Sequence, residues 1–299
     1  MTRILLVGRD GQVGTELQRT LAPLGEITAV DRDTCDLTHP EQVRATVRTV
    51  APQLIINVAA HTAVDQAESE PALAFAINAD GPALLAEEAR RLGAAVIHYS
   101  TDYVYDGRKG EPYVESDAVN PLGVYGRSKL AGEQAIATAG VPHLILRTSW
   151  VYGLHGRNFL LTMVRLAREK PELRVVDDQV GVPNWAVALA RATTNVVRVA
   201  AGRRPRIQDA IGEAGGVFHL TGTGRVSWHG FACAIVETLS ARGLVPAVPV
   251  RPISTAQYPT PAARPANSVL DGSRLRATWD TPLPAWQDSL AECLGGFEG

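Results

Sequence analysis

Lysine is scarce in this chain: it stands only at positions 109, 129 and 170, while cysteine and methionine number three and two. Cys35, Cys233 and Cys293 are an odd set without metal-like or redox-like spacing, which excludes a disulfide framework and points to a reducing compartment. The three thiols are expected as buried small hydrophobes. Long apolar runs are also missing. Nothing approaches the ~18 residues a membrane helix needs, and Ile4–Val7 is too short for a signal-peptide core, so the cytoplasm is expected. Charge of one sign is lacking too. Twenty-nine basic against thirty-one acidic residues leave a net charge of −2, and no long-range field favours nucleic acid. The one basic cluster, Arg203, Arg204 and Arg206, has no interleaved aromatics and reads as a solvated loop. No internal repeat or low-complexity tract is found.

What is present is an ordinary globular composition: 299 residues, 45% hydrophobic and 20% charged. That length suits one large α/β unit or two lobes, and two lobes are expected. Short continuous apolar runs predict buried parallel strands at Ile4–Val7, Ile27–Val30, Leu54–Val58, Val96–His98 and His143–Leu146. Between them, apolar residues at three-to-four spacing predict helices over Gln12–Leu21, Glu41–Val50, Pro71–Leu92 and Lys129–Ala139. This alternation defines an α/β doubly wound parallel sheet of Rossmann type. The expected division is a dinucleotide-binding domain over 1–150, with a returning helix near 180–202, and a smaller, mainly substrate-binding C-terminal lobe over 151–299. In that second part, helices are expected at Asn158–Arg168, Val187–Val199 and Trp228–Arg242. A glycine-rich turn is expected at Gly212–Gly216 and a strand at Val217–Leu220, followed by the proline-spaced Val245–Pro252 and the loop Tyr258–Pro265.

Gly8, Gly11 and Gly14 stand at three-residue spacing between an apolar strand and an amphipathic helix. Glycine there lets a cofactor pyrophosphate approach backbone amides at the helix N-terminus. A glycine triplet alone also fits a tight packing turn, but Asp31 at the end of the next strand is where an acid meets the adenosine ribose. Asp31 favours a free 2′-hydroxyl and Arg32 a 2′-phosphate. The Gly-x-x-Gly-x-x-Gly spacing points to the short-chain dehydrogenase/reductase group.

Reducing a carbonyl places a proton on oxygen as hydride reaches carbon, so a weak acid must sit beside the nicotinamide. A tyrosine serves if a lysine four residues on shares its helix face and lowers its pKa. With seven tyrosines and three lysines, ~0.07 chance matches are expected, yet there are two. Tyr105 and Lys109 flank an Asp-Gly turn and share no helical face. Tyr125 and Lys129 lead into a plausible helix, despite two glycines; the bland alternative for Tyr125 is a half-buried core tyrosine. At the end of the fourth strand both Ser100 and Thr101 offer a hydroxyl to a substrate oxygen, and either would equally cap a turn.

Together these residues resemble the extended short-chain dehydrogenase/reductase group, and within it the dTDP-4-dehydrorhamnose reductase family. The resemblance spans the chain and rests on Gly8–Gly14, Ala59–Asp65, Tyr99–Tyr105, Tyr125–Glu133, Arg147–Tyr152 and Tyr258–Pro265. It implies NADPH-dependent reduction of the 4-keto group of a dTDP-linked deoxysugar, with NADH possible as a substitute. The catalytic residues would be Thr101, Tyr125 and Lys129. Gly8, Gly11, Gln12, Val13 and Gly14 would cradle the cofactor. By the same resemblance Asp31, Asp36, Leu37, Ala60, His61, Thr62 and Tyr99 would line it, alongside Tyr125 and Lys129. Thr101, Asp102 and Trp150 would meet the sugar, and Arg264 the diphosphate, with a surface ion pair as its alternative role.

Two positions depart from the family. Some members bridge a dimer through Mg²⁺ held by glutamates; Glu16 matches one ligand, but Val187 stands at a second, so no metal and a monomer or metal-independent dimer are expected. Asn184-Trp185 follows Pro183 where small residues are expected. Tyr103 stands where a 4,6-dehydratase would carry glutamate. The remaining rivals are a reductase of another 4-keto sugar nucleotide and a non-catalytic, cofactor-binding regulatory subunit.

Overall fold

A computed structural model describes residues 2–298. Five strands follow the predicted apolar runs: β1 (Thr2–Val7), β2 (Gly25–Val30), β3 (Leu54–Asn57), β4 (Ala95–Thr101) and β5 (His143–Thr148). All pair in parallel, in the order β5-β4-β3-β1-β2, and the strand Gly216–His219 adds in parallel outside β5. Every residue of β3 and β4 is buried, as strands covered on both faces must be. The register puts Val30, Val7, Asn57 and His98 in one row, so two polar side chains sit side by side in the sheet's interior.

Helices cover both faces. On one, Gln12–Leu21 and Ala186–Arg203 pack with Trp279 over Ile4, Leu6, Ile56 and Ile97. On the other, Pro40–Val50 and Gly81–Leu92 cover Leu5, Val7, Ile55 and Val96. A second core gathers Tyr152, Leu160, Val182, Phe231, Trp286 and Leu290 from the C-terminal half. The chain therefore recrosses residue 150 more than once: Ala186–Arg203, Ile207–Ala214, Gly216–His219 and Ser273–Trp279 all build on the parallel sheet.

Three expectations need correction. The single helix over Pro71–Leu92 is interrupted by a π turn at Ala76–Asp80, where the buried Asn78 bonds the His61 main chain and the Ser128 hydroxyl. The glycine turn over Gly212–Gly216 is half helix, because Ile207 and Ile211 fall on one buried face and carry Ile207–Ala214 through Gly212. The helix holding Tyr125 starts earlier than its periodicity suggested, running Val124–Thr138. Its glycines are contact points: a Cβ at Gly126 would lie 2.2 Å from the Tyr103 carbonyl, and one at Gly132 2.1 Å from that of Asn78. No helix of the described residues is long and apolar enough to cross a membrane.

Candidate active site

A cleft of about 540 Å³ opens at the C-terminal edge of the sheet, where parallel α/β folds bind ligands. Its floor is the glycine turn. Gly8 has φ +98°, and a Cβ there would meet Ala59 N at 2.7 Å. At Gly14 a Cβ would meet the Gly8 carbonyl at 2.0 Å, so the turn closes only without side chains. The helix that follows presents its free amides to the cleft, as an anion site requires.

Of the residues implicated from the sequence, Gly8, Gly11, Gln12, Val13, Gly14 and Asp31 line one part of this cleft. Ala60, Thr62, Tyr99, Tyr125 and Lys129 line another. Asp36, Leu37 and His61 fall outside the lining, for visible reasons. Asp36 accepts hydrogen bonds from the Thr38 amide and hydroxyl, both at 2.8 Å, and Leu37 packs buried where a Gly81 Cβ would stand. The His61 main chain is pinned at both N and O by the Asn78 amide, at 2.8 and 3.1 Å. Arg32 lines the cleft beside Asp31, with its Nε 3.4 Å from Asp36, while Arg9 forms an ion pair with Asp31. The acid and the base expected to oppose each other thus both border the cleft.

Tyr125 sits on the first turn of its helix, half-buried, packed edge-on against Tyr103 with ring centroids 5.4 Å apart. Burial pushes its phenol up to about 12, against the opposing pull of the adjacent Thr101 hydroxyl. The expected direction was down. The reason is that Lys129 spends its hydrogen bonds elsewhere, on the Tyr99 carbonyl at 2.7 Å and His98 Nε2 at 3.3 Å. Lys129 is itself buried, and desolvation brings its ammonium down to about 8 although Glu133 opposes this.

Ser100 lines the cleft and Thr101 does not, and their hydroxyls have different partners. The Ser100 hydroxyl donates to Glu133, whose carboxylate is also gripped by Arg147 at 2.9 and 2.6 Å. Thr101 caps the turn at Tyr103 and donates to Asp102 at 3.0 Å, so it ends β4 facing Tyr125. Asp102 is buried with one oxygen lacking a partner, and desolvation raises it to about 7. Tyr105 and Lys109 are apart as predicted: the Tyr105 hydroxyl bonds Arg147 and His219, and Lys109 pairs with Asp117.

A second cleft of about 330 Å³ lies in the C-terminal half, lined among others by Phe159, Arg174, Trp228, Tyr258 and Arg264. Trp150, at φ +46°, stacks on Trp228 with centroids 3.5 Å apart. Arg264 grips Asp65 with both nitrogens, at 3.1 and 2.8 Å, while still lining this cleft. Asn184, read from the sequence only as a departure, holds the Ser149 carbonyl at 2.8 Å and so anchors the chain just before Trp150. Sequence reasoning missed Thr148, Asn78, Trp228 and the Asn57–His98 pair. Only the burial of a polar residue in an apolar run marked the last, since His98 ends the Val96–His98 segment.

A parallel sheet with a glycine cradle at β1 and a Tyr–Lys pair after β4 defines a Rossmann-type protein of the short-chain dehydrogenase/reductase kind. More particularly, the chain belongs to the RmlD substrate binding domain family, whose model matches residues 1–298. It is 46% identical to the dTDP-4-dehydrorhamnose reductase of Escherichia coli, over 97% of this chain and 96% of that one. Identity to the enzyme of the same name from Burkholderia thailandensis is 44%, over 98% of each. Among solved structures, the dTDP-4-dehydrorhamnose reductase of Bacillus anthracis in complex with NADP superposes with a TM-score of 0.87, at 35% identity and 99% coverage of both chains.

Proposed function

We propose that this protein reduces the 4-keto group of dTDP-4-dehydro-L-rhamnose to give dTDP-L-rhamnose, with NADPH as reductant. The observation that carries this reading is the placement of Tyr125, Lys129 and the glycine cradle around one cleft. The relatives that are dTDP-4-dehydrorhamnose reductases, one of them solved with NADP, support the substrate and the cofactor.

The cleft fits a dinucleotide. It offers the cradle at one end, Asp31 where a ribose would lie, and at the other the Thr148 hydroxyl, buried without a partner among the described residues. Such an orphan is costly unless a ligand satisfies it. When bound, the reduced nicotinamide supplies hydride to the keto carbon. The protein's own part is proton delivery and exclusion of water. Tyr125, held protonated by burial, gives its proton to the carbonyl oxygen as negative charge develops there. Thr101, its hydroxyl turned from Asp102 to the substrate, donates a second hydrogen bond to that oxygen, and Asp102, Trp150 and Arg264 orient the sugar and diphosphate. In this scheme residues 1–150, with the returning helix near 180–202, hold the cofactor, and 151–299 mainly hold the nucleotide sugar in the second cleft.

The test is NADPH oxidation followed with dTDP-4-dehydro-L-rhamnose beside other 4-keto sugar nucleotides. Tyr125→Phe is expected to cut turnover by roughly 10²–10⁴ while leaving substrate binding largely intact; Lys129→Met impairs both turnover and cofactor affinity. Tyr105→Phe, which removes a buried structural hydroxyl, lowers stability without a comparable loss of turnover. Near-normal turnover by Tyr125→Phe, with chemistry rate-limiting, would refute the mechanism. Turnover of a different 4-keto sugar alone would move the substrate assignment, and binding without any turnover would make the chain a regulatory subunit.

A further inference from the structure

Behind Lys129 lies a chain of buried polar groups that proton donation by Tyr125 leaves unused. Asn57 on β3 and His98 on β4 are in register, fully buried, and joined by Asn57 Nδ2 to His98 Nδ1 at 3.1 Å. His98 Nε2 in turn lies 3.3 Å from Lys129 Nζ. The orientation of Asn57 is fixed from its other side, because its Oδ1 accepts the Ala59 amide at 3.1 Å. Asn57 therefore presents its NH₂ to His98, and His98 Nδ1 must accept. A neutral imidazole that accepts at Nδ1 carries its proton on Nε2. Burial and the neighbouring Lys129 hold His98 well below its ordinary value, so the ring is neutral.

The consequence concerns the lysine. An Nε2–H aimed at an ammonium sets donor against donor, whereas aimed at a neutral amine it makes a hydrogen bond. We infer that Asn57 and His98 form a positioning dyad that stabilises the neutral amine of Lys129 and so sets the pH at which this lysine yields its proton. The inference rests on the proposed reductase reading. The balance is simple. The keto carbon takes hydride and its oxygen takes the Tyr125 proton. The phenolate regains a proton from the Lys129 ammonium, one helical turn away. The amine left behind accepts from His98 Nε2–H until a solvent proton restores it.

The groups that face this lysine are Tyr125 and Glu133 on its own helix and His98 and the Tyr99 carbonyl on β4. Arg147 of β5 stands behind Glu133 and holds its carboxylate, and Asn57 of β3 acts through His98. Glu133 favours the ammonium, and the tautomer set by Asn57 opposes it. Desolvation brings Lys129 down to about 8 against Glu133, where it exchanges its proton near neutral pH, and the His98 Nε2–H disfavours the ammonium in addition.

The tautomer is read directly by ¹⁵N NMR of histidine-labelled protein without substrate, with His98 assigned by comparison with His98→Gln. The expected spectrum has a protonated Nε2 and an unprotonated Nδ1; a protonated Nδ1 overturns the dyad. Because no keto sugar is present, this result does not depend on which substrate is turned over. Asn57→Asp supplies the second arm, since a carboxylate draws the ring proton to Nδ1 and turns Nε2 into an acceptor for the ammonium. Reductase activity, lost as pH rises past the Lys129 value, is expected to persist about 1–3 pH units higher in this variant, with the tautomer reversed. A limb that moves without tautomer reversal assigns the effect to bare charge and overturns the inference, as does a reversed tautomer with an unmoved limb. Should Asn57→Asp not fold, the wild-type spectrum decides alone.

Discussion

At the scale of single residues, the site is governed by where each cation goes. Arg147 is committed to Glu133 and Tyr105, Arg264 to Asp65, and Lys129 to a carbonyl and a neutral imidazole. Arg32 borders the adenosine end of the cleft beside Asp31, and Arg9 pairs with the Asp31 carboxylate. Asp31 is held below the usual carboxylate range, first by the Thr34 hydroxyl and also by Arg9, so it is ionised throughout the neutral range. A 2′-phosphate would meet both a carboxylate and a mobile guanidinium; a 2′-hydroxyl would meet the carboxylate alone. NADPH is therefore expected to be used with NADH accepted. Asp31→Ala shifts the ratio of kcat/KM values towards NADPH, and Arg32→Ala shifts it towards NADH. Each change is expected at about ten- to hundredfold, the worth of one hydrogen bond to a charged group at ~1.5–3 kcal/mol. Identical ratios in wild type and both variants would remove this pair from the 2′ position.

At the scale of elements, the helix Val124–Thr138 is placed by contacts that its own sequence pattern does not reveal. It has little amphipathic character, because Gly126, Ser128, Lys129, Gly132 and Glu133 are among its buried positions. Its depth is set where Gly132 meets the carbonyl of Asn78 in the π turn, backbone against backbone. Alanine in a helix interior ordinarily gains up to ~1 kcal/mol over glycine. Gly132→Ala is expected to reverse that sign, lowering the melting temperature by several degrees and reducing turnover as Lys129 is displaced. Gly202→Ala is the matched control. It lies in the helix Ala186–Arg203 with open space at its Cβ, and is expected to be neutral or stabilising. Equal melting shifts in the two variants would show that the contact does not set the helix. This contrast also explains what the sequence made legible. Runs such as Leu54–Asn57 declare a buried parallel strand because only apolar side chains fit between two helical layers, and the Tyr125–Lys129 spacing declares a shared helical face. The π turn, the turning aside of Asp36 and His61, and the tautomer imposed by Asn57 depend on backbone detail or on particular side-chain partners, Thr38 for Asp36, Asn78 for His61 and His98 for Asn57, which no local period encodes.

At the scale of the whole molecule, the helix Ala186–Arg203 gives Ala186 and Leu189 to one core and Val187 to the other, and polar contacts tie the two as well. Asn158, which caps the helix Phe159–Glu169, donates to Gln12 at 2.9 Å and so couples the second core to the glycine cradle. One turn beyond Gln12, on the same helix, stands Glu16, buried, with one oxygen lacking a hydrogen-bond donor among the described residues. Arg19 approaches that carboxylate at 3.3 Å and His155 at 4.0 Å. In relatives that bridge two subunits through a cation, further carboxylates would have to converge here, but Val187 is apolar and packs into the second core. A hard divalent cation such as Mg²⁺ takes oxygen ligands, and one carboxylate compensated by a neighbouring arginine is a poor site for it. Activity and particle mass are therefore expected to be indifferent to metal. The check is steady-state turnover and light scattering before and after EDTA, with Mg²⁺ added back. Glu16→Gln serves as the companion variant, expected to retain both turnover and mass because it removes only a charge already offset by Arg19. A loss of turnover or of dimer mass on chelation, restored by Mg²⁺ in the wild type but not in Glu16→Gln, would show that Glu16 recruits oxygen ligands beyond those that this chain places around it.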